Sequence, residues 1–456
     1  MRGLVVGFGL SGFWAGMLFL RNLGDRLYIY DDNLEKLDKS RVETIRNYAI
    51  TVGKRVEFVS GFDLSFMDDV DLVVVSPGIP PTHRLVNLAK NKNIPLVGEV
   101  EFASQFIDRS KVSIVGITGT NGKTTTTSLV NHGLKLVGFD SEVGGNIGNP
   151  LSRIVFEDRI PDILVLELSS FQLLYTDKFR VDVGVILNID YDHMDYHRDF
   201  SEYAESKMKI LRDVKLGVYN LDDPVIVDLL NSREPGNLKL KSFSTEKEAD
   251  SFISTGSIFL RKDDGTLLSI LDLKDLSTTT LFNLPNILAS ILVFDFYNLP
   301  LEKIRDSITS FSWLPHRLEF VGVLNGVEIY NDSKATNPHA VKYAVSFLSR
   351  FGKPIVLILG GSGKKLTFES LTPYFDIIKG VVCYGDAGEE IETDLRLRGY
   401  DHIFRMWDFK EAVNLALSMA SSGDILLLSP GCASFDQFKS YAERGDVFKR
   451  LILQRL

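Results

Sequence analysis

Residues 112–127 carry the clearest chemical signal in the sequence, a strand, a glycine-rich turn and a helix whose order suits phosphate binding. Residues 112–117 are a β-branched run, residues 118–122 form the turn, and a helical pattern opens at Lys123. Unpaired amides and the positive end of the helix dipole favour a polyphosphate there, while Lys123 supplies a positive charge and Thr124 a hydroxyl for Mg²⁺. Five residues rather than the usual four separate the flanking glycines, and an ordinary strand–turn–helix is the alternative interpretation.

Two further strands carry polar residues at their carboxyl ends. Residues 162–167 are an apolar run ending in Glu167, which is placed to hold Mg²⁺ directly or through water, or else simply caps the strand. The strand at residues 183–189 runs into a group of acids and histidines, namely Asp190, Asp192, His193, Asp195 and His197. Such a group at one strand end favours a metal site over a structural role, although the spacing does not select the ligands.

The N-terminal segment has the pattern of a nucleotide-binding βαβ unit. A short strand leads into G-x-G-x-x-G at residues 7–12, and a second strand ends in Asp31 and Asp32 about twenty residues later. Residues 3–20 carry no charge and superficially resemble a signal peptide or membrane span, but the glycine spacing and the acids favour nucleotide binding. Residues 70–81 are predicted to be a buried strand and a proline- and glycine-rich loop, which either binds ligand or merely ends the strand.

The C-terminal part repeats the α/β pattern. Since the carboxyl ends of parallel strands meet at one edge of a sheet, polar loops after four strands predict a ligand crevice. The strands are predicted at 327–330, 354–359, 380–384 and 424–428, and the loops at 331–337, 360–365, 385–388 and 429–434. Residues 215–280 are predicted to be a scaffold of short strands and turns, 284–297 and 301–311 helices, and 312–317 a hinge.

Length and composition limit the class of protein. The chain has 456 residues, 45% of them hydrophobic, which predicts about three domains. A net charge of −9 argues against a nucleic acid as the main partner. Small-molecule substrates and no membrane partner are therefore expected. Only Cys383 and Cys432 are present, in no metal-ligand or disulfide spacing, which fits a reducing cytoplasm. The predicted fold class is α/β with three domains, Rossmann-like at 1–108, P-loop ATPase-like at 109–313 and again Rossmann-like at 314–456.

Taken together, these motifs resemble those of the Mur ligases along the whole chain. The phosphate loop is shared with folylpolyglutamate synthases and marks only the superfamily, whereas residues 166–172 and 331–337 are typical of the members that add D-glutamate. The resemblance is carried by residues 7–12, 76–79, 118–124, 144–148, 166–172, 192–195, 314–317, 331–337 and 429–438.

The resemblance implies an ATP-dependent ligase that joins D-glutamate to the alanyl carboxylate of UDP-N-acetylmuramoyl-L-alanine through an acyl phosphate. It further implies Mg²⁺, a cytoplasmic monomer, peptidoglycan precursor synthesis and a first domain that binds UDP. Another Mur-type or folylpolyglutamate-type ligase is the nearest alternative. A nicotinamide-dependent oxidoreductase built on the first domain, and a nucleotide switch that hydrolyses ATP without ligation, are the alternatives from other classes.

The resemblance implies roles for individual residues. The expected ATP-binding residues are Gly119, Thr120, Asn121, Gly122, Lys123, Thr124, Thr125, Asn283, Asn286, Arg317, Asp332 and Lys334. The expected contacts of UDP-N-acetylmuramoyl-L-alanine are Gly9, Leu10, Ser11, Asp31, Asp32, Asn33, Gly78, Asn146, Ser169, Gln172 and His193. The expected D-glutamate contacts are Thr336, Lys364, Ser434 and Tyr441. The expected catalytic residues are Lys123, Glu167, His193, Lys207, Arg317 and Lys334, and the expected metal ligands are Thr124, Glu167, His193 and Lys207.

The resemblance implies that Lys207 is carbamoylated by CO₂, a change that turns an unfavourable ammonium beside Mg²⁺ into an oxygen ligand. Spacing alone does not separate it from Lys209, and a solvated helix charge is the alternative.

The sequence departs from the family pattern at four positions. Phe282 stands where the family has His, which affects the adenine contacts. Asp32 and Asn33 replace Thr and Arg, so binding of the uridine end is expected to depend more on backbone contacts. Tyr441 replaces a frequent Phe, a harmless change if the backbone amide makes the contact.

Overall fold

The computed structural model describes residues 1–61, 64–233, 238–363 and 366–455. The chain forms two compact units, Met1–Leu273 with Pro285–Phe311, and Lys274–Leu284 with Ser312–Leu456. The first unit contains a five-stranded and a nine-stranded sheet, and the second unit contains a six-stranded sheet. The predicted α/β class is confirmed, with three sheets as expected for three domains, while the boundaries after residues 108 and 313 stay predictions.

The first sheet is entirely parallel, in the order β3-β2-β1-β4-β5. Its strands are β1 Arg2–Val6, β2 Arg26–Tyr30, β3 Arg55–Val59, β4 Leu72–Val75 and β5 Leu96–Gly98, and its helices are α1 Leu10–Asn22, α2 Lys39–Thr51, α3 Arg84–Asn91 and α4 Glu99–Ser104. The chain winds outward in both directions from β1 and β4, so the crevice between their carboxyl ends is the switch point where such sheets bind ligands.

Residues 3–20 therefore form β1 and most of α1, as the glycine spacing indicates. Among the residues that the structure describes, no helix combines the length and the hydropathy needed to cross a lipid bilayer.

The central sheet has nine strands in the order β14-β13-β12-β11-β10-β9-β6-β8-β7. Its strands are β6 Ser113–Thr118, β7 Ser141–Gly145, β8 Ile163–Glu167, β9 Val183–Ile186, β10 Leu216–Asn220, β11 Leu240–Ser244, β12 Ser251–Ser254, β13 Ser257–Arg261 and β14 Leu267–Asp272. The helices along this stretch and the next are α5 Lys123–Leu136, α6 Leu151–Phe156, α7 Ser170–Leu174, α8 Phe200–Met208, α9 Pro224–Asn231, α10 Thr278–Phe282, α11 Leu284–Phe296 and α12 Leu301–Thr309.

Two details of this region differ from the sequence prediction. Residues 215–280 contain the helix α9 as well as strands, and its signal is a capping aspartate, Asp223, followed by Pro224 in the first turn. Gly144 and Gly145 are the last residues of β7, so the predicted glycine-rich loop begins only at Asn146.

The third sheet has the order β15-β16-β20-β17-β18-β19, with only β15 antiparallel to its neighbour. Its strands are β15 Glu319–Leu324, β16 Val327–Asn331, β17 Ile355–Gly360, β18 Ile378–Tyr384, β19 Ile403–Met406 and β20 Ile425–Gly431, and its helices are α13 Pro338–Ser349, α14 Gly388–Leu397, α15 Phe409–Met419 and α16 Tyr441–Leu453. The edge strands β15 and β19 were not predicted. The four inner strands lie where the apolar runs placed them, and helices cover both faces of the sheet.

The first and central sheets are joined by the buried carboxylate of Glu101 on α4. Its two oxygens accept hydrogen bonds from the backbone amides of Asp177, Lys178 and Phe179, at 2.9, 3.1 and 2.9 Å. A charged acceptor that satisfies three amides of one loop holds that loop firmly, because each amide would otherwise be buried or half-buried without a partner.

We expect Glu101→Ala to lower the free energy of unfolding by about 3 kcal/mol, since three amides lose a charged acceptor. Urea denaturation followed by fluorescence measures the change. Glu43→Ala, at an exposed position of α2, is the matched control and is expected to change stability by less than about 0.5 kcal/mol. Equal stability of the two variants would contradict the role given to Glu101.

Candidate active site

The predicted phosphate loop joins β6 to α5, and α5 begins at Lys123 as predicted. Gly122 caps the helix with φ of 85°, a left-handed conformation that favours glycine. A Cβ added there would collide with the side-chain oxygen of Asn286, which also accepts a hydrogen bond from the Thr126 hydroxyl at 3.2 Å. The loop therefore packs closely against α11 and leaves its amides at a helix N-terminus, where an anion is favoured.

The loop is held from the other side by residues that the sequence pattern did not indicate. Asn188 accepts from the Asn121 amide at 2.7 Å and donates to the Asn121 carbonyl at 3.1 Å. The Thr120 hydroxyl accepts from the Asp190 amide and lies 2.8 Å from the Tyr203 hydroxyl. These contacts fix the loop before any ligand arrives, which is the preorganisation that phosphate recognition requires.

Two lysines meet at the carbonyl oxygen of Gly119. The Nζ of Lys123 donates to it at 2.7 Å and to the Thr120 carbonyl at 2.8 Å. The Nζ of Lys207, on α8, donates to the same Gly119 oxygen at 2.7 Å and is almost completely buried. Burial, and then the charge of Lys123, hold the pKa of Lys207 well below its usual value.

Lys209 has a different position and different partners. Its Nζ donates to the carbonyls of Leu174 and Thr176, at 2.6 and 3.0 Å, where α7 ends. Of the two lysines that spacing left open, only Lys207 reaches the phosphate loop.

Glu167 lies at the end of β8 and is 2% exposed. One carboxylate oxygen accepts from the Asn146 side chain at 2.8 Å, and the Asn146 amide donates to the Glu167 carbonyl. The other carboxylate oxygen is buried without a hydrogen-bond partner among the described residues. A buried anionic oxygen lacking a partner fits a divalent cation, whose binding would satisfy it.

The wider group of acids and histidines after β9 does not converge on one point. Among the described residues, no three His, Cys, Asp or Glu side chains are grouped so that they could hold a metal ion. His197 is buried instead, and its Nε2 lies 2.9 Å from the Ser170 hydroxyl. The prediction that the whole group forms a metal site is therefore not supported for His197, which serves the core.

His193 differs from His197 because it lies at the surface of the site. Its backbone is left-handed, with φ of 58°, and its ring contacts that of Phe171 at a centroid distance of 4.8 Å. Burial lowers its pKa; the charges of Lys123 and Lys207 act in the same direction, while Asp192 opposes them. The neutral imidazole favoured in this way is the form that ligates metals.

Asn146, Ser169 and Gln172 surround this part of the site. Ser169 caps α7, and its amide and hydroxyl both engage the side-chain oxygen of Gln172, at 3.0 and 3.1 Å. Gln172 is 4% exposed, so its first role is the capping box that fixes the turn after Glu167. Contact of Ser169, Gln172 and Asn146 with substrate stays a prediction.

In the first sheet, the crevice between β1 and β4 is built from close backbone contacts. The Ser76 hydroxyl donates to the Gly7 carbonyl at 2.6 Å, and a Cβ on Gly12 would collide with the same carbonyl. Gly9 caps α1, and Gly9 and Gly78 both have open space where a Cβ would lie, so a ligand can approach their backbone. Leu10 and Ser11 follow at the start of α1.

The acids at the end of β2 have separate roles. The Asp31 carboxylate accepts from the amides of Phe8 and Asn33, at 3.0 and 3.1 Å, and so ties the glycine turn to the next strand. Asp32 accepts from the Tyr30 hydroxyl at 2.8 Å and is mostly exposed. The side chain of Asn33 accepts from the Lys36 amide. Arg84, which the sequence pattern did not indicate, donates to the Tyr30 hydroxyl, so a guanidinium lies at this edge even without the usual arginine.

In the second unit, the loop after β16 carries Asp332 and Lys334. Asp332 is buried, accepts from the Leu318 amide at 3.1 Å and from the Ser429 hydroxyl at 2.8 Å, and burial raises its pKa to about 7. The charge of Arg317 opposes that rise. Lys334 donates to the Tyr441 hydroxyl at 2.8 Å, with its Nζ 4.0 Å from the ring centroid.

The other residues predicted to bind D-glutamate or the nucleotide differ in burial and in the unit to which they belong. Thr336 is exposed, Ser434 is 2% exposed, and Lys364 lies outside the described residues. Asn283 belongs to this unit and donates to the Thr279 carbonyl at 2.8 Å, whereas Asn286 lies at the phosphate loop of the first unit. Phe282 packs against Tyr343 and Phe347, at centroid distances of 5.0 and 5.4 Å, so it serves the core where the family has His.

A glycine turn with a lysine at a helix N-terminus, beside a partner-free buried carboxylate oxygen, is the arrangement of enzymes that transfer phosphoryl groups from nucleoside triphosphates. Within this class of enzymes, two family models of Mur ligases match the chain. The Mur ligase middle domain matches residues 117–294, and the Mur ligase glutamate ligase domain matches residues 316–432.

Similar proteins extend the match over the whole chain. A UDP-N-acetylmuramoylalanine–D-glutamate ligase of Thermoanaerobacter pseudethanolicus is 37% identical over 99% of this chain and 98% of its own. The protein of that name from Geobacillus kaustophilus is 36% identical over 98% of this chain and 96% of its own. The chain belongs to the Mur ligase family.

Solved structures share the fold at lower identity. MurF ligase from Thermotoga maritima in complex with ADP has a TM-score of 0.60 at 18% identity, covering 96% of this chain and 98% of that one. The UDP-N-acetylmuramate-alanine ligase MurC from Thermotoga maritima has a TM-score of 0.56 at 18% identity, covering 100% and 99%.

We expect Gly122→Ala to weaken ATP binding by more than about tenfold, because the new methyl group collides with Asn286 in the phosphate loop. Isothermal calorimetry with ATP measures the affinity. Gly138→Ala is the matched control, because φ is 89° there but nothing lies within 4 Å of the added Cβ. Both variants carry the backbone strain, so equal ATP affinity would contradict the loop assignment.

Proposed function

We propose that this Mur ligase adds D-glutamate to the alanyl carboxylate of UDP-N-acetylmuramoyl-L-alanine, with conversion of ATP to ADP and phosphate. The observation that carries the proposal is the 37% identity over 99% of the chain to a ligase named for that reaction. The proposed setting is the synthesis of peptidoglycan precursors by a monomer in the cytoplasm.

The chemistry explains why several cations are needed. A carboxylate is a poor acyl donor, so its oxygen attacks the γ-phosphorus of ATP, and ADP leaves. The amine of D-glutamate then attacks the acyl phosphate, the C–N bond forms, inorganic phosphate leaves, and the amine loses a proton. Two anions must approach each other in the first step, and neutralising their charge is the main catalytic requirement.

Lys123 is the proposed partner of the β- and γ-phosphates, and residues 119–125 supply backbone amides and hydroxyls around them. Its Nζ now donates to two carbonyls of the loop, which keeps the cation at the place where a phosphate would enter. Asn286 supports the loop from α11, and Asn283 is the proposed second asparagine on the nucleotide side.

Thr124, Glu167, His193 and a carbamoylated Lys207 are the proposed holders of Mg²⁺. The partner-free oxygen of Glu167 and the neutral forms favoured for His193 and Lys207 support this assignment. When bound, Mg²⁺ neutralises phosphate charge and orients the oxygens of the transferred group.

The contacts at the Gly119 carbonyl support the proposed carbamate on Lys207. Two ammonium groups share one carbonyl oxygen in a buried place, and a neutral amine there is the nucleophile that reacts with CO₂. The product has one negative charge and two oxygens beside Lys123 and the expected metal. Its formation replaces repulsion between the lysines by attraction.

The other substrates are assigned to the two outer sheets. The crevice between β1 and β4, with Gly9, Leu10, Ser11 and Gly78, is the proposed UDP site, and its open backbone supports the assignment. Thr336, Lys364, Ser434 and Tyr441 are the proposed D-glutamate contacts. Arg317 and Lys334 are the proposed cations that stabilise the transferred phosphoryl group, and Asp332 positions this loop through the Leu318 amide.

Turnover by the purified protein tests the function. We expect ADP release to require both UDP-N-acetylmuramoyl-L-alanine and D-glutamate, with no product from L-glutamate, L-lysine or diaminopimelate. Release with another amino acid instead would favour a different Mur-type ligase. ADP release that needs neither co-substrate would favour a nucleotide switch and contradict the proposed ligase activity.

Lys123→Ala is expected to lower turnover by about 1000-fold, because the phosphates lose their cation, while calorimetry shows UDP-N-acetylmuramoyl-L-alanine binding unchanged within about twofold. Lys135→Ala, at an exposed position near the end of the same helix, is the control and should behave as the wild type. Loss of UDP-sugar binding together with turnover would show that the two sites are not separate.

Lys207→Ala is expected to lower turnover by about 100-fold, since a metal ligand is lost, and added acetate or formate should restore part of it by supplying a carboxylate in the vacated space. Lys209→Ala is the matched control, because its amine caps α7 away from the phosphate loop. Rescue of the Lys209 variant, or a near-native rate of the Lys207 variant, would refute the assignment.

A further inference from the structure

Arg444 is a completely buried arginine in α16, and no role follows for it from the motifs. Its guanidinium lies under the carboxyl ends of four neighbouring strands, β16, β20, β17 and β18. The hydrogen-bond acceptors belong to the segments that follow or end these strands, at Ser333, Cys432, Ala433, Gly360 and Tyr384.

The donors of Arg444 are all used. Nε donates to the Ser333 hydroxyl at 2.9 Å, and Nη2 donates to the carbonyls of Ser333 and Cys432, at 2.8 and 3.1 Å. Nη1 donates to the Tyr384 hydroxyl at 3.1 Å, with the carbonyls of Ala433 and Gly360 at 3.4 and 3.5 Å. Five N–H groups in a rigid plane therefore connect four strand ends, and lysine, with three donors on a flexible chain, would not reproduce this pattern.

Arg444 donates its hydrogen bonds to dipoles. Among the described residues, its partners are carbonyl and hydroxyl oxygens, and none of them is a carboxylate. Arg444 also interacts with the buried carboxyl of Asp332, because its charge lowers the pKa of that acid, which burial raises to about 7. An acid with so high a pKa offsets the charge of Arg444 only in part, and the positive potential that remains favours an anion at the loops that Arg444 holds.

Those loops are the ones that bear the proposed D-glutamate contacts. Thr336 follows Ser333 by three residues, and Ser434 follows Ala433 directly. Tyr441 lies one turn before Arg444 in α16, and its carbonyl accepts from the Ser333 hydroxyl at 2.8 Å. A shift of the guanidinium would therefore displace all three positions relative to one another.

We propose that Arg444 is the positioning residue of the amino-acid site, fixing the loops of four strands and keeping beneath them a positive charge that favours a dicarboxylate amino acid. The inference rests on the proposed D-glutamate site and extends it to a residue that does not touch substrate.

The test separates hydrogen bonding from charge. Arg444→Lys keeps the charge and is expected to raise the KM for D-glutamate about tenfold, whereas Arg444→Gln removes the charge and is expected to raise it about 100-fold. The KM for ATP should rise less than the KM for D-glutamate in both variants, because Asp332 and Lys334 flank the Ser333 that Arg444 holds, whereas the phosphate loop belongs to the other unit. Arg450→Lys and Arg450→Gln, at an exposed position of the same helix, are the matched controls and should leave both constants unchanged.

Unaltered KM for D-glutamate in a folded Arg444 variant, or an equal rise in both KM values, would overturn the inference. If the Arg444 variants do not fold, Tyr384→Phe decides, because it removes a single acceptor of Nη1 and keeps the ring. It is expected to raise the KM for D-glutamate about threefold, and no change would overturn the inference. Wild-type protein is assayed first, since a lack of D-glutamate-dependent turnover there refutes the proposed function itself.

Discussion

The carbonyl oxygen of Gly119 accepts hydrogen bonds from the side-chain nitrogens of two lysines, and the phosphate loop is organised around this point. Lys123 arrives from the helix that follows the loop, and Lys207 arrives from α8, 88 residues further along the chain than Gly119. Keeping both side chains charged in a buried place is unfavourable unless anions also enter, and burial together with the charge of Lys123 therefore lowers the pKa of Lys207. The free protein is thus prepared for negative charge, which a triphosphate and a carbamate would both supply.

Around this point the structure uses neutral groups to hold the loop and charged groups to receive ligands. Asn188 pairs with both backbone groups of Asn121, and Tyr203 meets Thr120. Such contacts do not depend on charge, so the loop keeps its shape as phosphates come and go. The second unit differs, because a charged residue, Arg444, holds its loops through carbonyls and hydroxyls.

The sequence predicted those turns and strands that are determined by residues close together in the chain. The glycine turn before Lys123, the turn at residues 7–12 and the inner strands of the third sheet all follow from spacing within a few residues. Residues that act across long separations could not be found in this way. Arg444 contacts Ser333, 111 residues away, and Asn188 contacts Asn121, 67 residues away. Histidine type alone also did not distinguish His193 from His197, because only burial shows that the second serves the core.

The edge strands were missed for a related reason. β19 is four residues long and half exposed, and β15 alternates little between buried and exposed positions, so neither produces a strong periodic signal. α9 was missed although its capping aspartate and proline are local, because the surrounding short strands dominated the pattern.

The junction at Glu101 has a consequence for substrate length. Three amides bind its carboxylate, and the Tyr196 hydroxyl donates to the Ile79 carbonyl at 2.8 Å, so the crevice of the first sheet and the central sheet are tied at more than one place. The separation between the crevice and the phosphate loop is then set by the protein. If the UDP end of the substrate occupies the crevice, as proposed, this separation fixes how far the carboxylate of the substrate reaches. A substrate one residue shorter or longer would then present its carboxylate at the wrong distance from the phosphate loop.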